Sequence, residues 1–293
     1  MTTRNEARRG IVLVTVLWMV ALLSALAMAA AITFRGFTGI VALDRDRVQA
    51  EALLIGGLEA AVGSVAGASG ASVADIGITT VLSTGSVRAH LSDESGRIDI
   101  GKAPAEILAG AFRVVGASAE EAEAMAQAIV EWRNPPGVAP PNAQASPNPA
   151  AANRRADVAF TDVRQLARVP GITPEWAARV APLTTVYGSD KVNALTAPAE
   201  VLTALPGVDM NRAAAFLRSR RQFAVEVAQA AAMLGTTEDY IDVKNGSVLS
   251  VELRATLPNG LQQAARSVIF VTPQDVLPYR ILVWNALPSL PPE

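Results

Sequence analysis

Between Arg9 and Arg35 the chain carries no charged side chain, and residues 11–32, IVLVTVLWMVALLSALAMAAAI, form an uncharged, mostly aliphatic run. A lipid hydrocarbon core is crossed by about 20 such residues in a helix, so the run predicts a single membrane-spanning helix over 11–32. Arg4, Arg8 and Arg9 stand at its N-terminal edge. Positive charge is retained on the cytoplasmic side, which puts residues 1–10 inside and the bulk of the chain outside.

Three kinds of segment share this composition. An ordinary secretory signal would use Ala27, Met28 and Ala29 as its small-x-small cleavage site, but its apolar part is usually about 7 to 15 residues, shorter than this one. A plain anchor accounts for the span and leaves unexplained the glycine between the basic pair and the first apolar residue. Arg8-Arg9-Gly10-Ile11 resembles the type IV prepilin leader. That resemblance implies a leader over 1–10, cleavage between Gly10 and Ile11 by a prepilin peptidase, and methylation of the new N-terminus. The pilin pattern places glutamate at the fifth mature position; this chain has Thr15.

With 293 residues, 51% hydrophobic and 18% charged, the chain can supply an anchor plus one large or two small folded units. Its net charge of -2 lacks the basic excess of a general nucleic-acid or anionic-membrane binder. No cysteine is present, which excludes disulfides, thiolate nucleophiles and zinc-sulfur sites. The one histidine, His90, alternates with Val87, Ala89 and Leu91 and reads as the solvent face of a strand. No catalytic constellation is visible, and scattered carboxylates read as solvated surface.

Beyond the span, Val48, Ala52, Ile55, Leu58, Val62 and Val65 recur at steps of three and four, which predicts a helix continuing to about residue 70. Part of that stripe is expected to lie on the protein's own sheet, and Val48, Ala52 and Ile55 are the positions expected to pack partner helices. Gly36, Gly39, Gly56 and Gly57 are candidate bends. Residues 63–77 read as a loop and are followed by strands over 78–82 and 86–91. A repeat then emerges: Arg97-Ile98-Asp99 aligns with Lys191-Val192-Asn193, and Ala-Pro-Ala-Glu recurs at Ala103 and Ala197. Each copy passes from an extended piece into a helix whose first turn holds proline and glutamate.

Three helix-glycine-helix joints lie in the same region, at Gly116, Gly171 and Gly207, with Ser118, Thr173 and Asp209 placed as N-caps. They resemble helix-hairpin-helix modules, whose turn amides hold phosphates in nucleic-acid proteins. Arg212, Arg218, Arg220 and Arg221 favour that reading, while Glu120, Glu121, Glu123, Glu175 and Glu200 oppose it. Residues 134–153, with six prolines and no charge, read as a loop. A helix over 225–234 and strand character over 236–243 follow. A hairpin over 248–256 and 261–271, turning at Leu257-Pro258-Asn259-Gly260, leads to a last strand from Tyr279 to Trp284.

Several segments together resemble the protein K family of large minor pseudopilins from the type II secretion system. They are RRGIVLVTVLWMVALLSALA, SGRIDI, FTDVRQLARVPGI, APLTTVYGSDKVNALTAPAEVLTALPGV, YIDVKNGSVLSVELRAT and YRILVWN. The resemblance implies an α+β fold: a long N-terminal helix (11–70) on a small antiparallel sheet (71–101 and 236–293), with an all-helical, helix-hairpin-helix or SAM-like domain inserted at 102–235. It implies a non-enzymatic assembly protein in the bacterial inner membrane, with a cytoplasmic N-terminus and a periplasmic bulk. Its partners would be other minor pseudopilins and the prepilin peptidase, with no nucleic acid. Family members lack the fifth-position glutamate, so Thr15 agrees with them, and the resemblance implies a place at the pseudopilus tip. Some members bind calcium through acidic residues, but Asp157 and Asp162 do not supply the six to eight oxygens calcium takes, so no metal and no cofactor are expected. The alternative is a membrane-tethered helix-hairpin-helix DNA-binding protein.

Overall fold

The computed structural model describes residues 3–67, 76–134, 160–220, 225–272 and 278–287; within the first helix, side chains are described at 14–30, 41 and from 43 onward. Helix α1 (Thr3–Gly67) is continuous, and none of its glycines interrupts it. Strands β1 (Ile76–Leu82) and β2 (Gly85–Asp93) form a hairpin. After a long excursion the chain returns as β7 (Val248–Thr256), β8 (Gln262–Val271) and β9 (Tyr279–Leu287). Together they make one antiparallel sheet in the order β1-β2-β7-β8-β9.

Period-two alternation decides which sheet face is covered. Val87, Ala89 and Leu91 on β2, Leu249, Val251, Leu253 and Ala255 on β7, and Ala265 and Ile269 on β8 form one buried layer under α1. The helix contributes Ala50, Leu53, Leu54, Leu58, Ala61 and Val62. Burying each of the larger aliphatics is worth about 1.5–3 kcal/mol, which fixes the helix on the sheet. Gly57 lies at the closest approach: a Cβ there would sit 2.5 Å from Val87 Cγ2. This glycine therefore serves contact with the sheet rather than a bend. Asn259, in the β7–β8 turn, donates to Asp46 Oδ2 at 2.6 Å and ties the hairpin tip to α1.

The stripe expected from the sequence is corrected here. Ile55 is 48% exposed while Leu58 is buried, because the sheet-facing side runs through positions 50, 54, 57 and 61, and Ile55 falls on the opposite side. The insert also starts earlier and ends later than 102–235, and it is not all helical. Strand β3 (Ile98–Asp99) pairs in parallel with β4 (Thr184–Thr185), and β5 (Val192–Asn193) with β6 (Ile241–Asp242). All four strands lie between β2 and β7, outside the main sheet, so the insert spans 94–247.

Within it run α2 (Ala105–Val114), α3 (Ala119–Arg133), a 3-10 helix (Val163–Arg168) and α4 (Pro174–Val180). Between β5 and β6 come α5 (Ala199–Ala204), α6 (Met210–Ser219) and α7 (Val227–Leu234). The repeat is a structural duplication. Pro104 and Pro198 stand at the N-caps of α2 and α5. Asp99 Oδ1 accepts from Gly101 N at 2.8 Å, as Asn193 Oδ1 accepts from Leu195 N at 3.0 Å.

The duplication extends to a distant arginine in each half. Arg133, ending α3, donates to the carbonyls of Ile100 and Ala103 at 3.3 and 2.8 Å. Arg220, ending α6, donates to those of Ala194 and Ala197 at 2.9 and 2.6 Å. These are the same two positions in each copy. Replacing Arg133 by Leu strands two inward carbonyls and should cost about 3 kcal/mol, given roughly 1.5–3 kcal/mol for a hydrogen bond to a charged group. Arg220→Leu is expected to cost a comparable amount, with both losses read from denaturant unfolding of the two variants. A negligible loss at either position would break the equivalence.

Candidate functional site

Two surfaces and one buried junction concentrate the chemistry. Along α1 every described side chain from Val14 to Ala30 is exposed, including Leu17, Trp18, Leu22 and Leu26. Such an uncovered apolar segment suits lipid or neighbouring helices. By length and composition Leu43–Val65 also qualifies as a membrane span. It is not one: its sheet side is buried in the protein core, and it carries Asp44, Arg45, Asp46, Arg47, Glu51 and Glu59. Thr15 is exposed. Gly10 and Ile11 lie within the backbone of α1, and their side chains are outside the described residues.

Val48, Ala52 and Ile55 stand together on the outer side of α1, facing away from the sheet, with Val48 62% exposed. They are separated by three and four residues, so they form one short apolar ridge. Val41 and Leu43 are exposed on the turn before it.

The junction is where β2 leaves the sheet for the insert, and sequence reading missed it. Asp93 caps the 3-10 turn Glu94–Gly96 by accepting from Ser95 N at 2.8 Å, and its second oxygen accepts from Gly246 N at 2.9 Å. One side chain thereby ties the chain entering the insert to the chain leaving it. Glu94 is only 2% exposed; it accepts from the Thr185 hydroxyl and faces Arg97 at 3.6 Å and Arg266 at 3.8 Å. Asp99 is equally buried and lies 3.5 Å from Lys102 Nζ. Burial pushes the Asp93 and Asp99 carboxyls up, against the hydrogen bonds from Ser95 and the charge of Lys102 respectively. It lowers the Arg133 guanidinium, against the charge of Asp99. The signal available in the sequence was the Asp-Glu pair directly before the first repeat, but adjacent carboxylates ordinarily face water.

The glycine joints fold as expected: Gly116, Gly171 and Gly207 take φ of 102°, 86° and 82°. Ser118, Thr173 and Asp209 accept from the amides of Glu121, Trp176 and Arg212. At Ser118 the capping box is complete, and its hydrogen bonds lower the Glu121 carboxyl. Glu120, Glu121, Glu123 and Glu175 are exposed beside these turns, a sign of charge that repels phosphate. His90 is exposed on β2, on the face away from α1.

Among the described residues no three His, Asp or Glu side chains gather to hold a metal. Asp157 lies outside the described residues, and Asp162 is used as a helix cap, accepting from Arg164 N.

Residues 89–189, which contain the junction and the first half of the insert, match the family model for type II secretion system protein K. Over those residues the chain is similar to that family. The chain is also similar to one chain in the crystal structure of the GspK-GspI-GspJ complex from the enterotoxigenic Escherichia coli type 2 secretion system. Identity is 13%, the TM-score is 0.60, and the match covers 85% of this chain and 99% of that one. At this identity the likeness shows a shared fold. No curated protein matches the chain.

Proposed function

We propose that this chain is a protein K that works at the tip of a type II secretion pseudopilus, where it starts or caps assembly with other minor pseudopilins and takes part in export across the outer membrane. Residues 11–32 hold it in the inner membrane with the N-terminus cytoplasmic and the folded part periplasmic. A prepilin peptidase releases residues 1–10 and the new N-terminus is methylated. Its role is non-enzymatic assembly.

The observation that carries this reading is the two-sided use of α1. One side is consumed by the sheet, and the other presents Val48, Ala52 and Ile55 on the same helix that carries the uncovered apolar segment 14–30. A helix with a free apolar ridge docks against another helix. The solved GspK of similar fold is found with GspI and GspJ, which makes subunits of that kind the natural partners. Thr15 supports the tip place: without a carboxylate at the fifth mature position, the subunit has nothing to offer the N-terminal amine of a subunit ahead of it.

Val48→Asp should weaken co-purification of the full chain with the other minor pseudopilins more than tenfold. An aliphatic side chain buried at an interface is worth about 1.5–3 kcal/mol, and 1.4 kcal/mol is a factor of ten. Because Val48 is exposed, the melting temperature of the isolated subunit should not move. Undiminished binding by the variant would place the interface away from this ridge.

A further inference from the structure

Between the insert and the sheet face opposite α1 lies a cleft of about 510 Å³, within the range of ligand pockets. At its inner end two guanidiniums share one carboxylate oxygen: Arg97 and Arg266 both approach Glu94 Oε1, at 3.6 and 3.8 Å. Neither guanidinium donates a hydrogen bond among the described residues, although the Arg97 side chain is only 18% exposed, and Glu94 Oε1 accepts none. Arg97, Arg266 and Glu94 together thus carry one positive charge in excess, and both guanidiniums line the cleft. A second carboxylate would balance the charge and accept from both forks, a geometry that arginine favours.

The remaining groups of the cleft narrow the choice of ligand. At its mouth Asp162 and Arg164 pair with each other at 3.7 Å. Glu252 lies opposite Arg266 in the β7–β8 register but is exposed and makes no ion pair with it. The walls are apolar, formed by Val268, Val283 and Leu287 with Val163 across from them. These would cover aliphatic side chains on either side of an acidic group. Strand β9, which supplies Val283 and Leu287, is an edge strand of the sheet.

We propose that this cleft binds an acidic peptide, with one Asp or Glu side chain held by Arg97 and Arg266 and its apolar neighbours on the walls. The site goes beyond the helix-to-helix assembly described above, and its test is independent of that reading. The full chain in detergent micelles is titrated calorimetrically with Ac-Val-Glu-Val-NH2, with Ac-Val-Gln-Val-NH2, and with glutarate. Saturable binding of the glutamate peptide is expected, at least tenfold tighter than of the other two. Arg266→Met and Arg97→Met, each first shown to be folded by circular dichroism at the titration temperature, should each weaken it at least tenfold. Glu252→Gln should strengthen it, since a competing negative charge is removed. Three results would overturn the proposal: no saturable binding by the wild type, equal binding of the two peptides, or binding indifferent to Arg266→Met. Glutarate binding as tightly as the peptide would assign the cleft to small acids instead.

Discussion

Gly110→Ala is expected to unfold the insert at a temperature well below that of the wild type, with a loss of about 3 kcal/mol or more. In the repeat, Gly110 and Ala204 occupy the same position, seven residues after Ala103 and Ala197, and the two halves meet there. A Cβ on Gly110 would fall 1.7 Å from the Ala204 carbonyl oxygen and 2.7 Å from its carbon. The obstacle is backbone, which cannot rotate away, so α2 and α5 must separate. Overpacking of cores commonly costs about 1–3 kcal/mol, and a main-chain collision belongs at or above the top of that range. Separation would also loosen the core shared by Ile107, Leu108, Val201 and Leu202. Circular dichroism melting of the two forms decides the matter. An unchanged transition would mean that the halves do not depend on this crossing. Ala204→Gly makes a useful counterpart: it removes no contact that Gly110 needs, and should cost only the roughly 1 kcal/mol of a glycine in a helix.

Much of the sheet was legible because its signals are periodic and local. Strand β7 alternates apolar and polar residues from Leu249 to Ala255, and the hairpin turns at a Pro-Asn-Gly run whose glycine takes φ of 86°, so register and turn agree. The caps Ser118, Thr173 and Asp209 were legible for the same reason: a short polar side chain before an apolar period has one favourable use. Strands β3 to β6 were not, because two residues carry no period, and their pairing depends on chain brought back from up to 86 positions away, as at Ile98 and Thr184.

The covered face of α1 was ambiguous for a different reason. Apolar residues occur on both sides of it, and the true sheet face uses Ala50, Gly57 and Ala61, whose small size permits close approach but gives little hydrophobic contrast. Periodicity cannot choose between two apolar faces; the shape of the sheet does. The Glu94 junction escaped notice because a carboxylate reads as solvated until a partner is found, and Arg266 stands 172 positions further on.

Gly10→Leu is expected to leave the chain at its precursor mass, whereas the wild type should lose residues 1–10. In the structure α1 runs from Thr3 to Gly67 without a break, so no turn or loop marks the bond between Gly10 and Ile11. What distinguishes it is chemistry along the sequence: Arg8 and Arg9 precede the glycine, and the uncharged run begins at the next residue after it. On the proposed reading a membrane-embedded peptidase would reach the bond at the lipid boundary, where a residue without a side chain lets main chain approach main chain. Leucine there adds a bulky group and extends the apolar run by one residue, drawing the bond toward the lipid. Intact-mass measurement on chain purified from membranes containing the peptidase reads the outcome directly. A wild-type start at Ile11 with an uncut Gly10→Leu variant agrees with the leader. A start near Ala30 in both would make the segment an ordinary secretory signal, and the helix would then lose the apolar part that places Val48, Ala52 and Ile55 above the membrane.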